Sequence, residues 1–242
     1  MDYYFITGSS RGIGRALVEK ALERPEARVT GFARSEREQA PPRYQHIAID
    51  LSDVSALVER VDTFFPPVDA PRRLVLINNA GTLGEVKYLG DLDDSSIVSL
   101  FNLNVTAPTL LINAFIRQYR TVDAEKLIIN VSSGAGKYPV DGWSGYCASK
   151  AALDMVSRVA AQESALRADG FRVFALAPGV VDTAMQDHIR TAEADNFSKL
   201  QKFMDYKAED TLDDPATTAE KFFRLIDHPE RFAEVIQDVR NF

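Results

Sequence analysis

Short apolar runs alternate with longer amphipathic stretches along most of the 242-residue chain. The apolar runs predict strands over 3–7, 28–34, 44–51, 73–81, 126–133, 171–179 and 233–239. Apolar residues at helical spacing predict helices over 12–23, 57–64, 95–120, 144–164 and 219–227. This alternation favours right-handed βαβ units and a doubly wound parallel sheet with helices on both faces. Because no linker or repeat interrupts the pattern, we predict a single α/β domain over 1–242.

The composition argues against several other classes of protein. A net charge of −7 gives no basic field for nucleic acid. No apolar run reaches the roughly 18 residues that span a bilayer, and the N-terminus lacks the features of a signal peptide. The single cysteine, Cys147, excludes an intrachain disulfide and fits a reducing compartment. We therefore expect a cytoplasmic protein with no bound metal and with neither nucleic acid nor membrane as a partner.

A glycine-rich turn joins the first predicted strand to the first predicted helix. The segment "TGSSRGIG" (7–14) places Gly8, Gly12 and Gly14 in this turn. Glycines there permit a tight turn and let the backbone approach a pyrophosphate at the helix N-terminus. The segment therefore predicts a Rossmann-type fold with a dinucleotide site. A plain glycine-rich βα turn is the alternative.

The end of the second strand indicates which dinucleotide is bound. An acidic residue at this point would bind the ribose hydroxyls of NAD, but "GFARSE" has Ala33 and Arg34 there. Arg11, in the glycine loop, adds a second guanidinium on the same side. Because arginine pairs with phosphate in a bidentate manner, the two side chains favour NADP(H) over NAD(H). The alternative is that Arg34 is only a solvated strand end.

The segment "GYCASKAAL" (145–153) places Tyr146 four residues before Lys150, so both project from one helix face. An ammonium beside a phenol stabilises phenolate, which would lower the tyrosine pKa and make it a usable acid. An exposed helical pair is the alternative. Ser133, "NNAG" (78–81) and "APG" (177–179) end other strands, and carboxyl ends of parallel strands open onto one crevice. The Tyr–Lys pair is therefore predicted to face a binding crevice.

Taken in order, "TGSSRGIG", "NNAG", "NLNV", "VSSGAG", "YCASK" and "APGVVDT" resemble the motifs of the short-chain dehydrogenase/reductase family. The resemblance covers nearly the whole chain. It implies an oxidoreductase that transfers hydride between a nicotinamide and a carbonyl or alcohol. It also implies that Tyr146 donates the proton to the carbonyl oxygen, while Lys150 binds the nicotinamide ribose and lowers the tyrosine pKa.

The resemblance assigns the remaining roles by motif. Ser133 matches the hydroxyl that polarises the substrate carbonyl, with Ser132 as the alternative. Asn104 matches the asparagine of a water-mediated proton relay, with Asn102 as the alternative. The expected cofactor contacts are Gly8, Ser10, Arg11, Gly12, Ile13, Gly14, Arg34, Asp50, Leu51, Asn79, Ala80, Gly81, Tyr146, Lys150, Pro178, Gly179, Val181 and Thr183.

Within that family, "ITGSSRGIGRAL", "FARSE" and "APGVVDTAMQ" are similar to the branch of sepiapterin reductases and benzil reductases. The resemblance implies NADPH-dependent reduction of a ketone or a 1,2-dicarbonyl compound. The expected substrate-binding residues are Ser133, Trp143, Tyr146, Met185 and Asp238, under a substrate flap at about 184–214. Gln237 is the alternative to Asp238, and Trp143 could instead pack against a loop or subunit.

Two other functions remain compatible with the sequence. The chain could be a non-catalytic NADP(H)-binding sensor or scaffold, because a fold does not fix a function. It could also act on an unrelated alcohol, such as a 3-oxoacyl or sugar substrate. The family resemblance further implies a homodimer or homotetramer that pairs the helices at about 105–120 and 146–164.

Overall fold

The computed structural model describes residues 1–35 and 41–242, and a seven-stranded sheet forms its centre. The strands are β1 (Asp2–Thr7), β2 (Ala27–Ala33), β3 (Tyr44–Ala48), β4 (Arg73–Asn78), β5 (Glu125–Val131), β6 (Phe171–Ala177) and β7 (Ile236–Asp238). Their order is β3-β2-β1-β4-β5-β6-β7, and every pairing is parallel. The predicted Rossmann-type doubly wound sheet is thus confirmed. The chain winds outward in both directions from β1 and β4, so a ligand crevice is expected at the carboxyl ends of these strands.

Helices connect and cover the strands. They are α1 (Gly12–Leu22), α2 (Val54–Arg60), α3 (Asp94–Phe101), α4 (Ala107–Tyr119), α5 (Ser144–Arg167), α6 (Ala184–Arg190), α7 (Leu200–Ala208) and α8 (Pro215–Asp227). A π-helical turn, Asn102–Thr106, joins α3 to α4, so the predicted helix at 95–120 is continuous with one wide turn inside it.

Side chains that alternate along the strands divide the core between the two faces of the sheet. On β1, Tyr4 and Ile6 belong to the cluster beneath α1 and α8, where Phe222 is buried. Phe5 points the other way, into the cluster beneath α4. There the fully buried Phe115 contacts four aromatic rings with centroids 5.1–5.9 Å away. The rings around Phe115 therefore fill the centre of the second face.

The continuous helix Asp94–Tyr119 has 26 residues and contains an 18-residue window with a mean hydropathy of 1.4, enough to cross a membrane by length and composition alone. A core helix passes the same test. Leu111, Phe115 and Tyr119 of this helix are buried against the sheet. Its length and composition are therefore weak evidence for a membrane span.

The region predicted as a flap differs from its sequence pattern, because 184–214 contains α6 and α7. The helix predicted at 219–227 begins earlier, at Pro215. The Asp214 carboxylate caps this helix by accepting hydrogen bonds from the backbone N–H groups of Ala216 and Thr217. Proline suits the first helical position because it needs no N–H partner there. This cap, and not the apolar periodicity, sets the start of α8.

Candidate active site

The glycine loop between β1 and α1 has the backbone geometry that glycines allow. Gly8 and Gly12 have φ angles of +66° and +55°, which disfavour other residues. A Cβ on Gly14 would lie 2.1 Å from the Gly8 carbonyl oxygen, so only glycine lets α1 start so close to the strand. Arg11 precedes α1 in an extended conformation and gives no side-chain cap. The first N–H groups of α1 therefore remain suited to an anion such as a pyrophosphate.

The loop after β4 forms the wall beside the glycine loop. The Thr7 hydroxyl accepts hydrogen bonds from the backbone N–H groups of Asn79 and Ala80, both at 2.9 Å. Asn79 Nδ2 returns a hydrogen bond to the Thr7 carbonyl oxygen at 3.0 Å. A Cβ on Gly81 would lie 3.3 Å from Asn104 Oδ1 and 3.6 Å from Lys150 Nζ. The predicted "NNAG" wall thus joins the glycine loop to the Tyr–Lys region.

Arg34 lies directly after β2, and 72% of its side chain is exposed. One of its terminal nitrogens is 3.9 Å from Asp50 Oδ2, so two predicted cofactor residues face each other. Hydrogen bonds from Ser52 hold the pKa of Asp50 below its usual value. Arg11 is also exposed. Both predicted arginines are therefore accessible to a ligand, and Arg34 lies at the end of β2.

The pair in "GYCASK" is buried, not exposed. Tyr146 and Lys150 lie in the first two turns of α5, with 7% and 4% exposure. Lys150 Nζ lies 5.6 Å from the centre of the Tyr146 ring and donates a hydrogen bond to the Val131 carbonyl oxygen at 2.7 Å. Ser133 follows the end of β5, and its hydroxyl interacts with the Tyr146 phenol. The fold thus brings together three of the predicted catalytic side chains.

The structure corrects the expected effect of Lys150 on Tyr146. Burial raises the pKa of Tyr146 to about 12, and the Ser133 hydroxyl opposes this only in part. Burial likewise lowers the pKa of Lys150 to about 8, against the attraction of the Asp154 carboxylate. Desolvation penalises the charged form of each group. The prediction of a lowered tyrosine pKa is therefore wrong for the protein alone, because burial raises the pKa of Tyr146.

Asn104 lies within the π-helical turn and is nearly fully buried. Its Nδ2 donates to the Thr82 carbonyl oxygen at 2.8 Å and to Ser149 Oγ at 3.1 Å, and its Oδ1 accepts from the Thr82 N–H at 2.9 Å. Ser149 Oγ in turn donates to the Tyr146 carbonyl oxygen. Asn102, the alternative, donates instead to the Ser52 carbonyl oxygen at 3.3 Å. Asn104 is therefore the asparagine connected to the Tyr–Lys helix.

A buried carboxylate that the sequence reasoning missed lies behind the pair. Asp154, one turn after Lys150, accepts a short hydrogen bond from the Ser132 hydroxyl. Ser132 is therefore bound to Asp154, whereas the Ser133 hydroxyl interacts with the Tyr146 phenol. The bond fastens α5 to the end of β5 and so fixes Tyr146 relative to Ser133. The i, i+4, i+8 spacing of Tyr146, Lys150 and Asp154 could have revealed it.

A cavity of about 220 Å³ opens beside these residues. Its polar lining includes Ser133 and Tyr146, and the segment after β6 forms another wall. The predicted residues in the lining are Ile13, Ser133, Trp143, Tyr146, Pro178, Gly179, Val181, Thr183 and Met185. The Thr183 methyl group would lie 3.3 Å from a Cβ on Gly12, so "APGVVDT" and the glycine loop adjoin. The predicted nicotinamide and substrate regions therefore share one crevice.

Trp143 lines the cavity and also packs under the segment that follows α6. Its ring stacks on Phe197 at 5.2 Å and meets the Tyr146 ring edge-on at 5.7 Å. Phe203, on α7, contacts both Trp143 and Phe197. These residues belong to a third apolar cluster, separate from the two sheet clusters. Trp143 therefore both lines the cavity and packs against the segment after α6, as the two alternative interpretations of this residue proposed.

Asp238 occupies a different position from the one its predicted substrate role requires. Its carboxylate accepts hydrogen bonds from the Arg240 guanidinium and backbone N–H, at 2.8 and 3.0 Å. Arg240, not Asp238, lines the cavity. Gln237, the alternative, donates its amide N–H to the Glu234 carbonyl oxygen. Arg240 lies only two residues after Asp238 and pairs with its carboxylate. The carboxylate that the sequence predicts as a substrate contact is therefore already bound.

The chain is similar to known proteins over nearly its whole length. The sequence model of the short chain dehydrogenase family matches residues 3–194. The chain is 30% identical over 244 residues to a benzil reductase ((S)-benzoin forming) of Bacillus subtilis, covering all of both chains. It is 32% identical to a sepiapterin reductase of Xenopus tropicalis, covering 92% of this chain and 90% of the relative. A short chain dehydrogenase/reductase from Saccharomyces cerevisiae superposes with a TM-score of 0.85 at 25% identity, covering 99% and 96% of the two chains.

Proposed function

The chain belongs to the short-chain dehydrogenase family, and from that premise we propose that it reduces a small ketone or 1,2-dicarbonyl compound with NADPH. Members of this family are oxidoreductases that act on carbonyl or alcohol groups with a nicotinamide cofactor. The observation that carries the finer proposal is that Tyr146 and Ser133 line one cavity next to the "APGVVDT" segment. The cradle of Gly8, Gly12 and the free start of α1 fits the pyrophosphate of such a cofactor.

The proposed mechanism assigns each side chain one task. When bound, NADPH would supply the hydride. Tyr146, whose high pKa keeps it protonated at neutral pH, donates its proton to the carbonyl oxygen as charge develops there. The Ser133 hydroxyl donates a hydrogen bond to the same oxygen. Lys150 supplies a buried positive charge behind the tyrosine and a donor for the ribose, while Asn104 fixes the helix that carries both.

The lining of the cavity favours an aromatic or otherwise apolar diketone as substrate. Trp143, Phe203, Met185, Ile189 and Leu83 contribute apolar surface. A pterin would need a free carboxylate as its anchor, and the Asp238 carboxylate is bound by Arg240. The benzil reductases among the relatives act, by their names, on a diketone with two aromatic rings. We therefore place this chain nearer to their activity than to that of the sepiapterin reductases.

The direct test follows NADPH oxidation with benzil and with sepiapterin, using the purified full-length protein. Consumption of NADPH with benzil, at a higher kcat/KM than with sepiapterin, supports the proposal. Binding of NADPH without turnover of any ketone, diketone or 3-oxoacyl compound would instead support a sensor.

The substitution Arg34→Asp should shift cofactor preference toward NADH. A phosphate contact is a charge-assisted hydrogen bond, so its loss should lower the NADPH-to-NADH ratio of kcat/KM by about tenfold or more. Arg15→Asp is the matched control, because Arg15 is an exposed arginine of α1 that pairs with Glu19. An unchanged ratio in Arg34→Asp would show that Arg34 does not select the cofactor.

The pH dependence of kcat/KM for NADPH should report the low pKa of Lys150. Lys150 is charged below its pKa of about 8 and neutral above it, so kcat/KM should be level at lower pH and fall as pH rises through about 8. Lys150→Arg, whose guanidinium stays charged, should lose this decline. A wild-type profile that stays level from about pH 6 to about pH 10 would contradict the assignment.

We also propose a homo-oligomer formed through α4 and α5. Met155, Val159 and Leu166 on α5 leave 45–80% of their surface exposed although they are apolar. Such a row of side chains is suited to a second copy of the chain. Light scattering should give a solution mass that is a multiple of 26.9 kDa. A stable mass of one chain would contradict the proposal.

A further inference from the structure

Gln186 is a buried polar side chain with no internal partner. It lies in the first turn of α6 and is 7% exposed. Its Oε1 is buried without a hydrogen bond. Its amide nitrogen, the donor of the side chain, has no hydrogen-bond partner among residues 1–35 and 41–242. A buried amide left unpaired is destabilising, because it has lost its hydrogen bonds to water without gaining others. Since Gln186 lines the same cavity as Tyr146 and Ser133, a ligand in that cavity is the natural partner.

The other polar groups of the cavity already have tasks. Ser132 donates to Asp154, and Asp238 binds two of the three nitrogens of the Arg240 guanidinium, which is a charged donor. Thr183 belongs to the segment proposed to hold the nicotinamide. Tyr146 and Ser133 are both needed at the oxygen of the reacting carbonyl.

Trp143 also has an unpaired indole N–H, but its ring is enclosed by Tyr146, Phe197 and Phe203. Reaching it would require those rings to move. The flexible Gln186 amide is therefore the polar group that remains for a second atom of the substrate.

We propose that the Gln186 amide donates a hydrogen bond to a second oxygen of the substrate, the one that is not reduced. This inference rests on the proposed reductase function and names the group that selects 1,2-dicarbonyl compounds. A neutral amide fits a carbonyl oxygen, whereas a carboxylate would call for a cation. Gln186 thus anchors one carbonyl while Tyr146 and Ser133 act on the other.

The balance of the reaction agrees with a single reduction. When bound, NADPH would supply the hydride for one carbonyl carbon and become NADP⁺. Tyr146 donates its proton to the oxygen of that carbonyl and regains one from solvent, and the product is an α-hydroxyketone. The second carbonyl stays oxidised throughout and serves only as a hydrogen-bond acceptor.

The experiment compares two substrates that differ at one carbonyl. Benzil has two carbonyl groups, and deoxybenzoin has a methylene in place of one. Gln186→Met keeps the length of the side chain and removes both polar atoms, and Gln186→Glu keeps the shape and removes the donor. We expect each variant to lower kcat/KM for benzil by about 10- to 100-fold, while deoxybenzoin changes by less than about threefold.

The comparison across variants is essential because benzil is intrinsically more electrophilic than deoxybenzoin, so the wild-type ratio alone decides nothing. The dissociation constant for NADPH, measured by fluorescence, should remain unchanged in both variants. An equal loss with both substrates, no loss with either, or a weakened affinity for NADPH would overturn the assignment while leaving the reductase function intact. A wild-type protein that reduces neither compound would instead overturn the proposed function itself.

Discussion

Replacing Tyr146 with phenylalanine should lower kcat for carbonyl reduction by about 10²- to 10⁴-fold, the usual contribution of a positioned general acid. The substitution removes only the hydroxyl group and leaves the ring in contact with Trp143. We therefore expect the fold and the affinity for NADPH to survive. Stopped-flow measurement of the first turnover isolates the chemical step from product release.

Tyr138→Phe is the matched control, since Tyr138 is the same residue type with 72% of its surface exposed. It should retain wild-type kcat. If Tyr146→Phe keeps more than about a tenth of wild-type activity, the proton comes from another group and the mechanism is wrong.

Replacing Phe197 with alanine should loosen the segment over the cavity without unfolding the sheet. Phe197 is fully buried against Trp143 and Phe203, and burial of such a ring contributes about 3–5 kcal/mol. Because this cluster is separate from the sheet clusters, the loss should appear as local opening. We expect faster proteolysis within 191–214 and a higher KM for the carbonyl substrate, with the melting temperature little changed.

Phe115→Ala provides the contrast, because it removes a ring of the same size from the sheet cluster beneath α4. It should lower the free energy of unfolding of the whole domain by about 3–5 kcal/mol, measured by denaturant titration. If the two variants lowered global stability equally, the segment over the cavity would not be an independent unit.

The sheet could be predicted from the sequence because its strands are buried on both faces. Such strands appear as largely apolar runs, as in "RLVLIN" and "EKLIINV". Each run can be recognised from its own residues, without knowing which strands lie beside it. The glycine loop is also predictable from the sequence, because its positive φ angles and close backbone contacts favour glycine over other residues. The positions of Tyr146 and Lys150 followed from helical spacing.

The sequence does not predict α6 and α7, because the apolar residues of this region pack against a part of the chain that is distant in sequence. Ile189, Phe197 and Phe203 pack on Trp143, more than forty residues earlier in the chain. Spacing within such short helices gives little periodic signal. Their existence depends on a tertiary contact that the local pattern does not contain.

The electrostatics of the site could not be predicted for a related reason. Helical spacing shows that Tyr146 and Lys150 share a face, but burial of both decides the direction of their pKa shifts. Whether the Asp238 carboxylate is free to bind a substrate likewise depends on the position of the Arg240 side chain, which binds it. Gln186 ends the segment "APGVVDTAMQ", but that motif assigns it no role, and its burial without a partner is what distinguishes it.

The π-helical turn at Asn102–Thr106 lets one continuous helix both pack in the core and direct a polar side chain to the candidate site. A π turn accommodates one residue more than regular α-helical winding would, so it shifts the rotational phase of the segment that follows it. Leu100 before the turn belongs to the apolar cluster with Trp143, and Leu111 after it belongs to the sheet cluster beneath α4, while Asn104 within the turn bonds to Ser149. One helix thereby contributes to two separate apolar clusters and also directs a buried amide to the helix that carries Tyr146.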